Sequence, residues 1–181
     1  GKSTLVNLIP RFYDVTAGAV RLNGVDVRDV RQAELREQIG YVPQKGVLFS
    51  GTIASNVRYG REDADEQAVL KALDCAQASE FVSELPGGTE NPIAQGGTNV
   101  SGGQKQRLAI ARALVRKAPV YIFDDSFSAL DFRTDAKLRR ALATFTKDSI
   151  VLIVAQRVST ILNAEQIIVL DEGRVVGKGT H

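Results

Sequence analysis

Gly1-Lys2-Ser3-Thr4 opens an apolar, helix-like stretch, GKSTLVNLI. These four residues match the second half of the phosphate-binding loop GxxxxGK[ST]. Backbone N–H groups at such a helix start can cradle phosphate, the Lys2 ammonium can reach the β- and γ-phosphates, and the Ser3 hydroxyl can bind Mg²⁺. Half a motif leaves a second reading open, a helix N-terminus rich in Ser and Thr. A second candidate is Val120-Tyr121-Ile122-Phe123-Asp124. Four apolar residues ending in an acid make a buried strand that delivers a carboxylate to its C-terminal edge, where open α/β sheets bind ligands and a phosphate-loop enzyme needs a carboxylate for Mg²⁺. Asp124, Asp125 and Ser126 are also good helix caps, so the pattern is weak by itself and strong only after GKST. A third candidate is Ser101-Gly102-Gly103-Gln104, where a helix running to Lys117 begins with an exposed row of N–H groups, a second anion site. An ordinary N-cap on a glycine loop is the alternative, although a cap hardly needs two adjacent glycines.

The elements that must position these residues are read from hydrophobic period. Pro10 ends the first apolar helix, because proline cannot donate the next helical bond. Ala19 to Val27 reads as two short strands around Asn23-Gly24, a dipeptide that tolerates positive φ in a tight hairpin. Arg31 to Gln38 is expected as a short helix and Gly40 to Pro43 as a short buried strand. The chain then turns helical from Thr52 to Lys117, with one helix over Glu66 to Ala78 and another over Gln104 to Lys117. On the latter, Leu108, Ala111, Leu114 and Val115 share one face. β-Branched runs return at Val120–Phe123, Ile150–Val154 and Gln166–Leu170, with a helix over Asp135 to Phe145 between two of them. The runs are apolar throughout, as parallel strands covered on both faces would be. The pattern is β/α with a helical insertion.

Composition narrows the classes. A chain of 181 residues, 44% hydrophobic and 24% charged, suits one globular domain and excludes disordered, collagenous or disulfide-scaffold classes. The net charge of +2 is too small to imply a nucleic-acid partner. The single cysteine, Cys75, forbids an internal disulfide and suits a reducing compartment. The longest apolar run, Ile150 to Ala155, is far short of the roughly 20 residues of a membrane helix. The chain has no Met and starts at Gly1, so it is expected to begin inside a longer protein. Cys75 reads as a small buried side chain. Arg107, Arg112 and Arg116, like Lys137, Arg139 and Arg140, read as solvated helix faces.

Taken in order, GKST, Gln44 in YVPQKGVLFSGTI, VSGGQKQRLAIARAL, VYIFDDSFSALD and IVAQRVST resemble an ATP-binding cassette (ABC) transporter nucleotide-binding domain over essentially the whole chain. The stretch from Leu48 to Val57 is similar to the exporter branch. The resemblance implies an α/β fold, an N-terminally truncated RecA-like P-loop NTPase core over residues 1–51 and 118–181 with an α-helical subdomain inserted over 52–117. It implies ATP held by Gly1, Lys2, Ser3 and Thr4, and by Ser101, Gly102, Gly103 and Gln104 acting on the nucleotide of an opposite domain. Mg²⁺ falls to Ser3, Gln44 and Asp124, and catalysis to Asp125, Gln156 and Gln44. Ser128 to Asp131 resembles the loop that crosses between two sites, and the residue that stacks on adenine lies upstream. The implied partners are a second nucleotide-binding domain and a transmembrane domain of the same polypeptide, with no nucleic acid. The implied location is the cytoplasmic face of the plasma (inner) membrane.

Two positions depart from the family, and both bear on hydrolysis. Asp125 stands where the family usually has Glu, and its reach is one methylene shorter; misplacing a catalytic group by about an ångström can cost on the order of 100-fold in rate. Gln156 stands where a histidine is expected, and the only histidine in the chain is His181. A neutral amide can hydrogen-bond a γ-phosphate but cannot carry an imidazolium charge or shuttle a proton. Gln95 and Gly96 also stand where exporters often have a Glu-Arg pair. The degenerate half of heterodimeric ABC exporters looks like this, so the expectation is a site that holds ATP and turns it over slowly beside a partner with Glu and His. A regulatory nucleotide-binding module without appreciable hydrolysis and a soluble ABC ATPase acting on DNA or ribosomes are the alternatives. Lacking part of the phosphate loop, these 181 residues by themselves are expected to bind ATP poorly.

Overall fold

The computed structural model describes residues 1–181. In chain order the elements are α1 (Lys2–Asn7), β1 (Arg21–Leu22), β2 (Val25–Asp26), α2 (Gln32–Glu37), β3 (Ile39–Val42), β4 (Gly51–Thr52), α3 (Ile53–Arg58), α4 (Glu66–Cys75) and α5 (Ser79–Glu84). They continue with β5 (Pro92–Ile93), α6 (Gly102–Leu114), β6 (Val120–Asp124), α7 (Phe132–Phe145), β7 (Ile150–Val154), β8 (Ile167–Asp171) and β9 (Arg174–Gly179).

β3, β6 and β7 form a parallel sheet with β6 in the centre. Every residue of β6 is buried, which is why its run is apolar up to Asp124. The main core joins one face of this sheet to the helices. Leu108, Ala111, Leu114 and Val115 of the α6 segment all lie in it, on the face their spacing implies. A smaller cluster, with Val6, Leu35 and Ile122, packs the other face under α1 and α2. The Asn23-Gly24 hairpin forms as expected, with φ of 52° and 79° at its two central residues.

Several expectations need correction. α1 stops at Asn7, before Pro10, as the approaching ring disfavours helical backbone ahead of it. The helix expected to reach Ala78 ends at Cys75, because Gln77 adopts a left-handed φ of 60° and α5 starts at Ser79. The helix expected over Gln104 to Lys117 starts at Gly102 and ends at Leu114, with Lys117 at φ 51°. Residues 166–170 do not extend the parallel sheet: β8 pairs antiparallel with β9, an element the sequence reading did not foresee, and both are largely exposed. β7 is likewise exposed at Ile150 and Val151, so an apolar run there does not mean cover on both faces.

The arginines on α6 are not a solvated face. Arg112 donates to Asn56 O, Asn56 Oδ1 and Val47 O and lies over Phe49. Arg107 donates to Gln77 O and Gly103 O and lies over Phe81. Burial, larger than any charge effect, holds both guanidinium pKa values below their usual range. Lys137 and Arg140 are exposed as expected, while Arg139 is tied inward.

Candidate nucleotide site

The C-terminal edge of the parallel sheet gathers residues from four separate stretches of chain. Ser3 Oγ donates to Asp124 Oδ1 at 2.8 Å, across 121 positions of sequence. Asp124 closes β6 and is 6% exposed, so the strand delivers its carboxylate out of the core. The first turn of α1 has no side-chain cap, and Lys2, Ser3 and Thr4 are exposed there. Tyr41 on β3 donates to Asn7 Oδ1 at 2.9 Å, fastening the far end of α1 to the sheet. Burial first, and the negative Asp124 second, raise the Tyr41 hydroxyl above its ordinary pKa, so it stays a neutral donor.

Asp125 follows with φ of 48°, a left-handed backbone that Asp accepts more readily than most residues. Its N–H donates to Val154 O at 2.9 Å, which ties it to the end of β7. Its Oδ2 accepts from Gln44 Nε2 at 3.0 Å and from Gln156 Nε2 at 3.2 Å. Two amides from two loops therefore meet on one carboxylate oxygen. Beside them a cleft of about 160 Å³ opens among Asp125, Ser128, Gln156, Arg157 and Thr160.

The groups present fit Mg²⁺ as a phosphate companion. Ser3 and Asp124 already sit at hydrogen-bond distance, a hydroxyl and a carboxylate, both hard oxygen donors. No group of three or more His, Cys, Asp or Glu that could hold a metal ion is present.

Ser101 to Gln104 are not hydrogen-bonded to these residues. Ser101 Oγ accepts from Gln104 N at 3.2 Å and Gln104 Oε1 accepts from Ser101 N at 3.0 Å, a full capping box at the start of α6. The cap coexists with two glycines, of which Gly102 faces open space, since a Cβ there would meet nothing within 4 Å, while a Cβ at Gly103 would stand 3.4 Å from Ala129 O. Gln95 and Gly96 lie in a 3₁₀ turn with Gly96 at φ 69°. In the loop after Asp125, Ser128 Oγ donates to Asp125 O at 3.0 Å. Asp131 caps α7 through Thr134, whose N–H and hydroxyl hold the Asp131 carboxyl below its usual range.

Four residues support the site, of which Tyr41 and Gln106 carry no role in the sequence reading, Ser126 is expected there as a helix cap and Arg139 as part of a solvated face. Tyr41 is described above. Ser126 Oγ donates to Val42 O at 2.9 Å, joining the residue after Asp125 to the strand before Gln44. Gln106 brackets Gln44 by bonding Pro43 O and Gly46 N. Arg139 pairs with buried Asp135 and donates to Ser159 O, three residues beyond Gln156. For Gln106 a signal existed: it shares helical spacing with Ile110 and Ala113, a polar side chain on an apolar face.

This is the fold of a P-loop nucleotide-binding ATPase domain. The family model described as ABC transporter matches residues 1–128, and the chain belongs to the ABC transporter family. It is 51% identical to an uncharacterized ABC transporter ATP-binding protein of Mycobacterium bovis, over 100% of this chain and 31% of that protein. It is 45% identical to an ATP-dependent lipid A-core flippase of Syntrophus aciditrophicus, over 100% of this chain and 30% of the flippase. A solved bacterial Atm1-family ABC exporter with ATP bound superposes with a TM-score of 0.95 at 39% identity, covering 99% of this chain and 32% of that one. The chain thus spans about a third of the length of the proteins it matches.

Proposed function

We propose that this chain powers a membrane exporter, with its own site binding ATP firmly and hydrolysing it slowly. Lys2 neutralises β- and γ-phosphate charge, and the first-turn N–H groups of α1 orient the phosphates. Ser3, Asp124 and Gln44 would hold Mg²⁺, which would supply charge neutralisation to the phosphates. Asp125 serves as the water-orienting carboxylate and Gln156 as a neutral contact to the γ-phosphate. Ser101, Gly102, Gly103 and Gln104 face the nucleotide of a second ABC domain, a heterodimeric partner that carries Glu and His. Residues 1–51 and 118–181 work as the nucleotide-binding core, and 52–117 as a helical unit that moves against it. The rest of the polypeptide spans the membrane and places this domain on its cytoplasmic face.

The observation that carries the slow-turnover reading is the double acceptance at Asp125 Oδ2 from Gln44 and Gln156. The two amides fix Oδ2 and so set which edge of the carboxylate is turned to a water, leaving Oδ1 to accept from it, and the short side chain limits how far that oxygen can reach. A hydrogen bond to a charged group contributes about 1.5–3 kcal/mol when sheltered and less in an open site such as this one. The measurement is ATP turnover by the complete protein beside an Asp125→Glu/Gln156→His variant. A gain of about tenfold, equal to about 1.4 kcal/mol of transition-state stabilisation, supports the reading. Brisk turnover by the native protein with no gain in the variant makes Asp125 a competent base and removes the asymmetric scheme.

A further inference from the structure

We infer that Gln106 is a positioning residue for hydrolysis, carrying the placement of α6 to Gln44 and thence to Asp125. The inference rests on the catalytic reading of Gln44 given above. Gln106 lies on α6 two residues after Gln104, yet its amide belongs to a different loop. Its Nε2 donates to Pro43 O at 3.1 Å and its Oε1 accepts from Gly46 N at 2.9 Å. The two bonds bracket Gln44 by one residue on one side and two on the other. The side chain is 2% exposed, so no water substitutes for either partner.

Two further contacts tie this loop to α6, and a third ties its start to the sheet. Gly46 packs on the helix so closely that an added Cβ would stand 3.0 Å from Ala109 Cβ and 3.2 Å from Lys105 O. Arg112, two turns on from Gln106, donates to Val47 O at 2.8 Å. At the loop's other end Ser126 fixes Val42 O, so between the bonded Pro43 O and Gly46 N only Gln44 and Lys45 remain. Any shift of α6 must then move Gln44 along its contact with Asp125. α6 begins at the Ser101 cap, with Gly102 and Gly103. An event at that helix start is thereby mechanically linked to the carboxylate of this chain's own site.

The test is steady-state ATPase kinetics of the complete protein with Asp125 and Gln156 in place, so that the contact from Gln44 to Asp125 is intact. Gln106→Met keeps volume and removes both bonds. It is expected to lower kcat at least fivefold while KM for ATP changes less than twofold. Gln44→Ala is expected to lower kcat by at least as much. The Gln44→Ala/Gln106→Met pair is expected to fall no further than Gln44→Ala alone, because Gln106 acts through Gln44. Multiplied losses in the pair make Gln106 a general structural support and overturn the inference. A reduced kcat for Gln44→Ala beside an unchanged Gln106→Met overturns the inference and leaves the role of Gln44 standing. An unchanged Gln44→Ala removes the role of Gln44 itself, and this inference with it. Gln106→Glu, which keeps an acceptor for Gly46 and loses the donor to Pro43, serves if Gln106→Met does not fold; its expected kcat lies between the native and Gln44→Ala values, and a native value overturns the inference.

Discussion

The loop around Gln44 and the loop around Gln156 end on the same oxygen of Asp125, and they are fastened by different chemistry. The first is bolted to α6 by a buried neutral amide and by a glycine with no room for a side chain. The second hangs on charge: Arg139, 27% exposed, pairs with Asp135, 1% exposed, and reaches Ser159 O, while Arg157 makes a 3.4 Å contact to Ser128 O and lies over the Phe132 ring. Neutral, two-point bonding inside a core fixes distance; a long, partly wet arginine fixes proximity and leaves orientation freer. The two glutamines therefore report on different things, Gln44 on the helix behind it and Gln156 on the local cleft.

Perturbing each fastening separates the two. The largest effect is expected from Arg139→Leu, which strands buried Asp135 without its cation; a loss of about 2–3 kcal/mol in unfolding free energy is expected, discounted for the exposed guanidinium. A loss under about 1 kcal/mol would mean that the second loop does not depend on that pair. Gln106→Met should lose about 2 kcal/mol, from one orphaned carbonyl and one orphaned N–H in a site closed to water. Chemical denaturation measures both. Asp125→Gly removes the shared carboxylate and suits φ 48°. Amide exchange is then expected to quicken about tenfold over Gln156–Thr160 and less than about threefold over Lys45–Val47; equal changes would erase the distinction. The smallest effect concerns the core behind the firmer loop. Burial pushes the Cys75 thiol to about 12. The unfolded thiol ionises near about 8.5 and the native one does not, so stability falls as pH rises from there towards 12. Cys75→Ala should flatten that slope, and Ellman's reagent should leave native Cys75 unlabelled at pH 8.

Much of this arrangement was legible in the residues. GKST, the buried strand before Asp124 and the ordered motifs between them were enough to foresee an α/β nucleotide domain, because each motif joins a residue type to a position at a strand end or helix start. The Asn23-Gly24 hairpin was legible for a similar reason, a backbone demand that few dipeptides satisfy. The exposure of β7 and the β8–β9 pairing were not, since an apolar run has the same appearance whether or not something covers it. Arg107 and Arg112 were misread because charge suggests solvent, while a guanidinium can be held inside by carbonyl oxygens and aromatic faces. The fastening of Gln44 by Gln106 depends on a contact 63 positions away for Pro43 and 60 for Gly46, and no local pattern encodes a partner that distant.

The parallel pairing of β3 with β6 also dictates a schedule. Ile39 lies opposite Val120, so that pair closes only after the whole stretch between them has been gathered in. α3, α4 and α6 lie within that stretch and pack on one another by shorter closures, which cost less chain entropy and come first. Ser3 and Asp124 must wait longer still, for a closure across 121 residues. Chain entropy thus favours a helical body that forms ahead of the place for a phosphate, and pulse-labelled amide exchange during refolding is expected to show α3, α4 and α6 protected before β3.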